Sequence, residues 1–382
     1  MANMRDVVFA TVNLYNLQTP GTAMYPRSRL YEQAEYDAKL DWFAAALARL
    51  DADVVGFQEL WRPQALHDLL ARPALGGRYA PAFIKDGEWD GIAVAVAVRA
   101  PWEIADVERI KDFPAEMRLR KRRRTMADIR DDPPDADMAL AGSVEGAGAP
   151  GGEPEFAPSH EDDAVKVQID AFSRSALRVR VVHGRAKRPT PPAIEVFAAH
   201  LKSKLSTPLD NAEWRDEAVR VHQSALGAAL SSIRRVAEAT ALRIVMTKAM
   251  RGNDTPAVLL GDMNDGQFSD VLAILTGQPS FRVYDRSTAG RRSDAGLYTG
   301  ATLQQLRSLR DVVYTHEHRN VREVIDHVLV SEQFYDFSDK RLWSFRDMTV
   351  LNDQLDGAPR LATDHGLLRA RFDWAPARGA LA

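Results

Sequence analysis

Several apolar runs in this chain end on side chains able to do chemistry. Val7-Val8-Phe9-Ala10-Thr11-Val12 ends at Asn13, and Val54-Val55-Gly56-Phe57 leads through Gln58 to Glu59. The run at 194–199 delivers His200, with Lys202 and Lys204 just beyond, and Ala257-Val258-Leu259-Leu260-Gly261 delivers Asp262 and Asn264. Asp326 lies early in the run 324–330, and Thr363-Asp364-His365 precedes the last apolar stretch. Carboxylates gathered in one place repel one another, and a cation is the natural way to keep them ionised. A hard divalent ion such as Mg²⁺ takes oxygen ligands, keeps several waters and uses one or two protein carboxylates. Glu59, Asp262 and Asp364 supply that kind of pocket. Side chains alternate along a strand, so Asp262 and Asn264 point the same way if the strand continues past Gly261.

Other chemistries are missing. There is no cysteine, which removes disulfides, thiolate metal sites and thiol nucleophiles. No phosphate-binding Gly-x-x-x-x-Gly-Lys loop, no Gly-x-Ser-x-Gly elbow and no His-Glu-x-x-His zinc helix occurs. His316-Glu317-His318 approaches the last, but Asn320 stands where the second His belongs.

The elements that must position these residues follow from apolar periodicity. Strands are expected at 7–12, 54–57, 92–98, 176–182, 194–199, 257–261, 324–330 and 366–372. Tyr36, Leu40, Phe43, Leu47 and Leu50 recur at helical spacing, predicting an amphipathic helix over 29–50. A short helix is expected at 63–71, where Pro63 suits the first turn, and a long helical region over 211–250, interrupted near Gly227. Ile92, Val94, Val96 and Val98 alternate with Ala93, Ala95 and Ala97, so this strand is apolar on both faces and belongs inside a layered core. The fold class is α/β, with mixed sheets and helices outside.

The segment 112–165 differs. Arg118 to Arg124 is basic save for Leu119; acids follow, then Gly, Ala and Pro from Ala139 to Pro158. Few of these residues can be buried, which predicts a flexible insertion in a surface loop of a single 1–382 domain. The basic run lacks interleaved aromatics, so any contact with a polyanion would be through phosphate charge. A net charge of −3 gives no global attraction to nucleic acid. No stretch is long enough to span a membrane and no signal-peptide pattern opens the chain, so a cytoplasmic protein is expected. No protein partner is expected.

In these motifs the chain resembles the endonuclease/exonuclease/phosphatase superfamily. They are Thr11-Val12-Asn13-Leu14-Tyr15-Asn16, Val55-Gly56-Phe57-Gln58-Glu59, Ala199-His200-Leu201-Lys202-Ser203, Gly261-Asp262-Met263-Asn264, Ile325-Asp326 through Ser331, and Thr363-Asp364-His365. Each is weak alone; together they keep the family's order and span the chain apart from the insertion. The resemblance implies a two-sheet mixed β-sandwich flanked by helices, a four-layer α/β/β/α arrangement. It makes Glu59 the principal metal carboxylate, with Asn13 and Asp364 nearby. Asp262 would orient or deprotonate the attacking water and Asn264 would hydrogen-bond the phosphate. His200 and His365 would bracket that phosphate, and Asp326 would fix the His365 tautomer. Thr363 stands where many members have Ser, which keeps the hydroxyl. The partner of His200 is left open between Glu88 and Asp90.

The expectation is thus a Mg²⁺-dependent hydrolase of phosphate esters, with Mn²⁺ as a possible substitute, attacking directly with water. A phosphodiesterase acting on nucleic acid leads; a phosphatase or phosphodiesterase for a small or lipid-linked phosphate is the alternative, and a binding protein without turnover a third. Lys202 and Lys204 are candidate substrate-phosphate contacts. His316 and His318 are expected in a loop, with lining of the pocket mouth as the alternative, and Asp265 either at the surface or enlarging the metal pocket.

Overall fold

A computed structural model describes residues 5–83, 91–117, 169–184, 190–277, 296–307, 313–318, 321–356 and 359–380. The chain divides into two compact units, one of Met1–Pro114 with Asp170–Ala382 and the other Ala115–Ile169. The second, with the expected flexible insertion, falls largely outside the described residues.

The first unit holds β1 (Val7–Leu17), α1 (Gln33–Leu50), β2 (Val54–Leu60), α2 (Pro63–Leu70), β3 (Tyr79–Ala82), β4 (Ala93–Arg99) and β5 (Trp102–Asp112). After the insertion come β6 (Ala171–His183), β7 (Ile194–His200), α3 (Asn211–Arg215), α4 (Glu217–Arg220), α5 (Gln223–Met250), β8 (Ala257–Asp262) and α6 (Asp270–Thr276). The remainder is β9 (Tyr298–Thr299), α7 (Gly300–Arg307), β10 (His316–His318), β11 (Val321–Glu323), β12 (Asp326–Val330), β13 (Trp343–Leu351) and β14 (Leu367–Trp374). Two six-stranded mixed sheets result, ordered β13-β14-β1-β2-β4-β3 and β5-β6-β7-β8-β12-β9, with β10 and β11 as a separate pair.

Alternation along each strand builds the layers. In β1, Val7 and Phe9 join a core between the sheets with Val196, Ala198, Leu260 and Val328, whereas Ala10, Val12 and Leu14 face α1 and α2. Each fully buried aliphatic or aromatic side chain contributes roughly 1.5–3 kcal/mol. Gly56 marks the closest approach of the sheets, because a Cβ there would lie 2.8 Å from that of Leu260. Helix α5 lies against β8 and buries Ala237, Ala241, Leu242 and Met246. Among the described residues no helix is long and apolar enough to cross a membrane.

Three expectations need correction. Helix α5 runs through Gly227 unbroken. Its missing Cβ admits the Thr207 carbonyl, which a Cβ would approach to 2.3 Å, so this glycine serves packing. The helical region breaks instead at Asp216, an extended residue whose side chain accepts from Ala218 N and starts α4, and again at Val221–His222, ahead of Gly227. Strand β5 was not expected: Ile104, Val107 and Ile110 are three residues apart, and a register shift between Ile104 and Asp106 disrupts the alternation that would reveal it. Strand β8 stops at Asp262, so alternation does not carry Asn264 to the same face.

Candidate active site

Sheet register brings the first group together. His200 ends β7, Asp262 ends β8, and Asp326 begins β12; His200 pairs with Asp262 and Asp262 with Asp326 across adjacent strands. Neighbouring strands lie about 4.8 Å apart, so these three side chains rise as one row on one face. His200 Nε2 is 3.5 Å from Asp262 Oδ2. Gly261 allows the tight pairing, since a Cβ would lie 2.0 Å from the Ala199 carbonyl oxygen.

The other sheet brings the second group to the same place. Asn13 shares the inter-sheet face of β1 with Phe9, and its Nδ2 donates to Asp262 Oδ2 at 3.2 Å and to Glu59 Oε1 at 3.3 Å. Simple alternation would send Glu59 with Phe57 toward the helices. Instead Glu59 has φ +59, and register shifts in β1 and β2 re-aim the chain. Tyr15 (φ 46), Asn16 (φ 56) and Asn264 (φ 52) share that left-handed conformation. Such residues cost on the order of 1–3 kcal/mol each and persist where surrounding contacts demand them. Here Asn16 N donates to Glu59 Oε2 at 2.9 Å, Tyr15 N to Asn13 Oδ1 at 2.9 Å, and Asn264 N to Asp262 Oδ1 at 2.8 Å.

His365 joins the two groups. Its Nδ1 lies 2.8 Å from Asp326 Oδ2, and its Nε2 is 3.5 Å from Asn13 Nδ2 and 3.8 Å from Asp262 Oδ2. Thr363 Oγ1 donates to the Asn13 carbonyl at 3.0 Å and accepts from His365 N at 3.1 Å, the work a hydroxyl at this position must do.

Burial and neighbouring charge set the protonation states. Burial opposes a charged His365, but the charge and hydrogen bond of Asp326, with Asp262 and Asp364, outweigh it and hold the imidazole well above its ordinary pKa. His200 is pushed well below by burial, then by Arg174 and His365. Asp262 is raised by burial and by Asp326. These directions favour the charged form of His365 and the neutral form of His200, beside a carboxyl, Asp262, whose affinity for protons is raised.

The sequence model of the Endonuclease/Exonuclease/phosphatase family matches residues 10–365. The chain belongs to this family. Its members are generally phosphoester hydrolases and typically use a divalent metal. No curated protein matches this family member in sequence. Similar solved structures include a mannosyl-6-phosphatase of Bacteroides thetaiotaomicron, at 15% identity and TM-score 0.50, covering 96% of this chain and 100% of that one. A humanized TDP2 from D. rerio, at 13% identity and TM-score 0.50, covers 96% and 99%. An endonuclease/exonuclease/phosphatase family protein of B. thetaiotaomicron is similar at 15%, TM-score 0.50, covering 97% and 95%. At these identities the likeness is one of fold.

The oxygen donors of this family member fit a hard cation. Burial and Glu59 raise the Asp364 pKa, and Asp364 Oδ1 is enclosed with no hydrogen-bond partner among the described residues. A cation between Glu59 and Asp364, with Asn13 beside them, would relieve both features.

Several other expected side chains are engaged with groups outside this cluster. Lys204 Nζ pairs with Glu323 at 2.9 Å, and Lys202 Nζ donates to the Leu205 carbonyl at 3.2 Å. Asn264 Nδ2 donates to the Leu201 carbonyl at 3.0 Å. Asp265 pairs with Arg235 at 3.3 Å. Glu88 and Asp90 lie outside the described residues, and His200 Nδ1 has no partner among those described. His316 and His318 form β10 rather than a loop, and the His316 ring centroid is 5.2 Å from that of His365.

Two residues escaped the sequence reading. Lys39 is fully buried in α1, donating to the Tyr15 carbonyl at 2.7 Å and Tyr31 Oη at 2.9 Å, beneath the left-handed turn. Its position among Tyr36, Leu40 and Phe43 on the helix's apolar face was the available signal. Arg174, on β6, donates to the Leu201 carbonyl at 3.0 Å and acts electrostatically on His200; nothing local marks it.

Proposed function

We propose that this protein is a magnesium-dependent phosphodiesterase acting on nucleic acid by direct attack of water, with Mn²⁺ able to replace Mg²⁺. The observation that carries the reading is His365, tied to Asp326 through Nδ1 while Nε2 faces the convergence of Asp262 and Asn13. Asp262, with its raised pKa, is matched to orient a water and accept its proton near neutral pH. Protonated His365 donates to a phosphoryl oxygen as charge builds there, and Asp326 holds its tautomer. Neutral His200 presents a ring N–H from the opposite side. A magnesium ion held by Glu59, Asp364 and Asn13 would supply fixed positive charge for the phosphate oxygens. With Asp262 given to the water and both imidazoles to phosphoryl oxygens, the attack is direct and forms no covalent intermediate.

A polymer substrate is supported by basic groups beside His200. Burial first, then Arg174, Arg235 and Arg234, lower the Lys202 pKa against the opposing charge of Glu238. Arg235 itself is buried and paired with Asp265, so Arg174, Arg234 and Lys202 are the groups left for a substrate. Such a cluster suits a repeating phosphate backbone. The test offers DNA, RNA, bis-p-nitrophenyl phosphate and p-nitrophenyl phosphate with Mg²⁺, Mn²⁺ or EDTA. Cleavage of a polymer and the diester, falling with salt and abolished by EDTA, is expected. Turnover of the monoester alone would replace this reading with a phosphatase.

A further inference from the structure

Beside the hard-cation donors lies a second set of different chemistry. His316, Asp364 and His365 each offer one ligand atom, all within 4.8 Å of one another. His316 is bridged to His365 by antiparallel backbone pairing, which fixes the two residues side by side with ring centroids 5.2 Å apart. His365 uses Nδ1 for Asp326; its Nε2, 3.9 Å from Asp364 Oδ1, becomes a metal ligand by releasing its proton to solvent as the ion binds. That Oδ1 is the enclosed oxygen without a hydrogen-bond partner among the described residues. The Asp364 side chain is 41% exposed, so it has room to adjust.

We infer that His316, Asp364 and His365 form a second, overlapping site for a borderline divalent transition ion of the Zn²⁺ or Co²⁺ class. Two imidazoles and a carboxylate select such ions over Mg²⁺, which prefers oxygen. Metal–ligand bonds of about 2.0–2.2 Å place tetrahedral donors roughly 3.3–3.5 Å apart, so the side chains need to close by about an ångström. The Asp326 hydrogen bond is the kind of outer support that orients a ligating imidazole and raises its basicity. Because Asp364 is shared with Glu59 and Asn13, the site rests on the hard-cation reading and extends it to a second class of ion. His365 loses its free nitrogen when the site fills, so Zn²⁺ opposes the Mg²⁺-supported reaction.

The experiment titrates the full chain with Co²⁺ and follows visible absorption, then competes with Zn²⁺ and Mg²⁺. One Co²⁺ should bind, yield to Zn²⁺ and resist equimolar Mg²⁺. His316→Ala should weaken binding by roughly 10–100-fold or more, whereas His318→Ala should leave it close to wild type. Circular dichroism confirms folding, and His316→Gln replaces the alanine variant if β10 is lost. Co²⁺ binding unchanged by loss of the His316 imidazole, or displaced by equimolar Mg²⁺, overturns the site. Hydrolysis with Mg²⁺ alone is measured separately, so an inactive protein that still binds Co²⁺ through His316 counts against the proposed function and not against the site.

Discussion

The environments of His200 and His365 make the most instructive comparison in the molecule. Both imidazoles are almost completely buried, within a few ångströms of Asp262. Burial alone would make both neutral. His365 has Asp326 in direct contact and Asp364 at its other side, and it keeps its proton. Among the described residues His200 has the more distant Asp262 as its nearest carboxylate, and burial with the charges of Arg174 and His365 favours its neutral form. Burial sets the stakes, and the nearest formal charge decides the outcome. One residue type thereby supplies both a cationic and a neutral donor to the same cleft.

Removing the groups themselves should have the largest effect. His365→Ala or Asp262→Ala is expected to lower kcat on bis-p-nitrophenyl phosphate by at least about 10²–10⁴-fold. The thermal melt should remain cooperative, and a rate within a few-fold of wild type in either variant ends the mechanism. Asp326→Asn tests what distinguishes the two histidines while leaving both rings. A loss of about 10²–10³-fold is expected, and the His365 pKa should fall toward that of an ordinary imidazole. The alkaline limb of the rate profile then moves to lower pH; a limb that stays put assigns it to another group.

Stability sharpens the contrast without reference to turnover. The depressed His200 pKa means the unfolded chain takes up a proton first, so stability is intact above about pH 6.5 and falls as pH drops below it. His365 has the opposite sign: its contribution is complete below about pH 6.5 and is lost as pH rises through its elevated folded-state value. His200→Gln should therefore flatten the acid side of a plot of Tm against pH, and His365→Gln the alkaline side. If both variants flatten the same side, the two imidazoles do not differ in charge. Arg174→Gln should be mildest, raising the His200 pKa by relieving repulsion and reducing by about one the slope of log affinity against log salt for a polymer. An unchanged slope removes Arg174 from the polymer contact.

The sequence was most informative where a local rule applied. An apolar run followed by Asn13, Glu59, His200 or Asp262 announces a strand, and its end at His200 and Asp262. Strand β1 instead continues past Asn13 to Leu17 through a register shift, and β2 runs one residue past Glu59. Helix α1 followed from its spacing, although it starts at Gln33, where Glu35 accepts from Glu32 N at 3.2 Å, rather than at 29. Strand β5 failed because an edge strand carries charge and a bulge, which obscure the period of two. Glu59 lay in the right region for a reason alternation does not contain, since its left-handed backbone turns it inward. Lys39 was passed over because a lysine on an apolar helical face looks like noise until its carbonyl and phenol partners are visible.

The sequence by itself determined the inventory: which acids, amides and imidazoles stand at the ends of apolar runs, and, through the resemblance those motifs carry, the family and its two-sheet fold. Those are near-neighbour properties, written in spacing and residue type. The tertiary structure alone decided that Asn13 bridges Glu59 and Asp262, that His316 stands beside Asp364, and how closely Asp326 meets His365. Protonation and ligand sets depend on distances of a few ångströms between residues far apart in the chain, and on exclusion of water from between them. Neither quantity exists until the sheets have closed on each other.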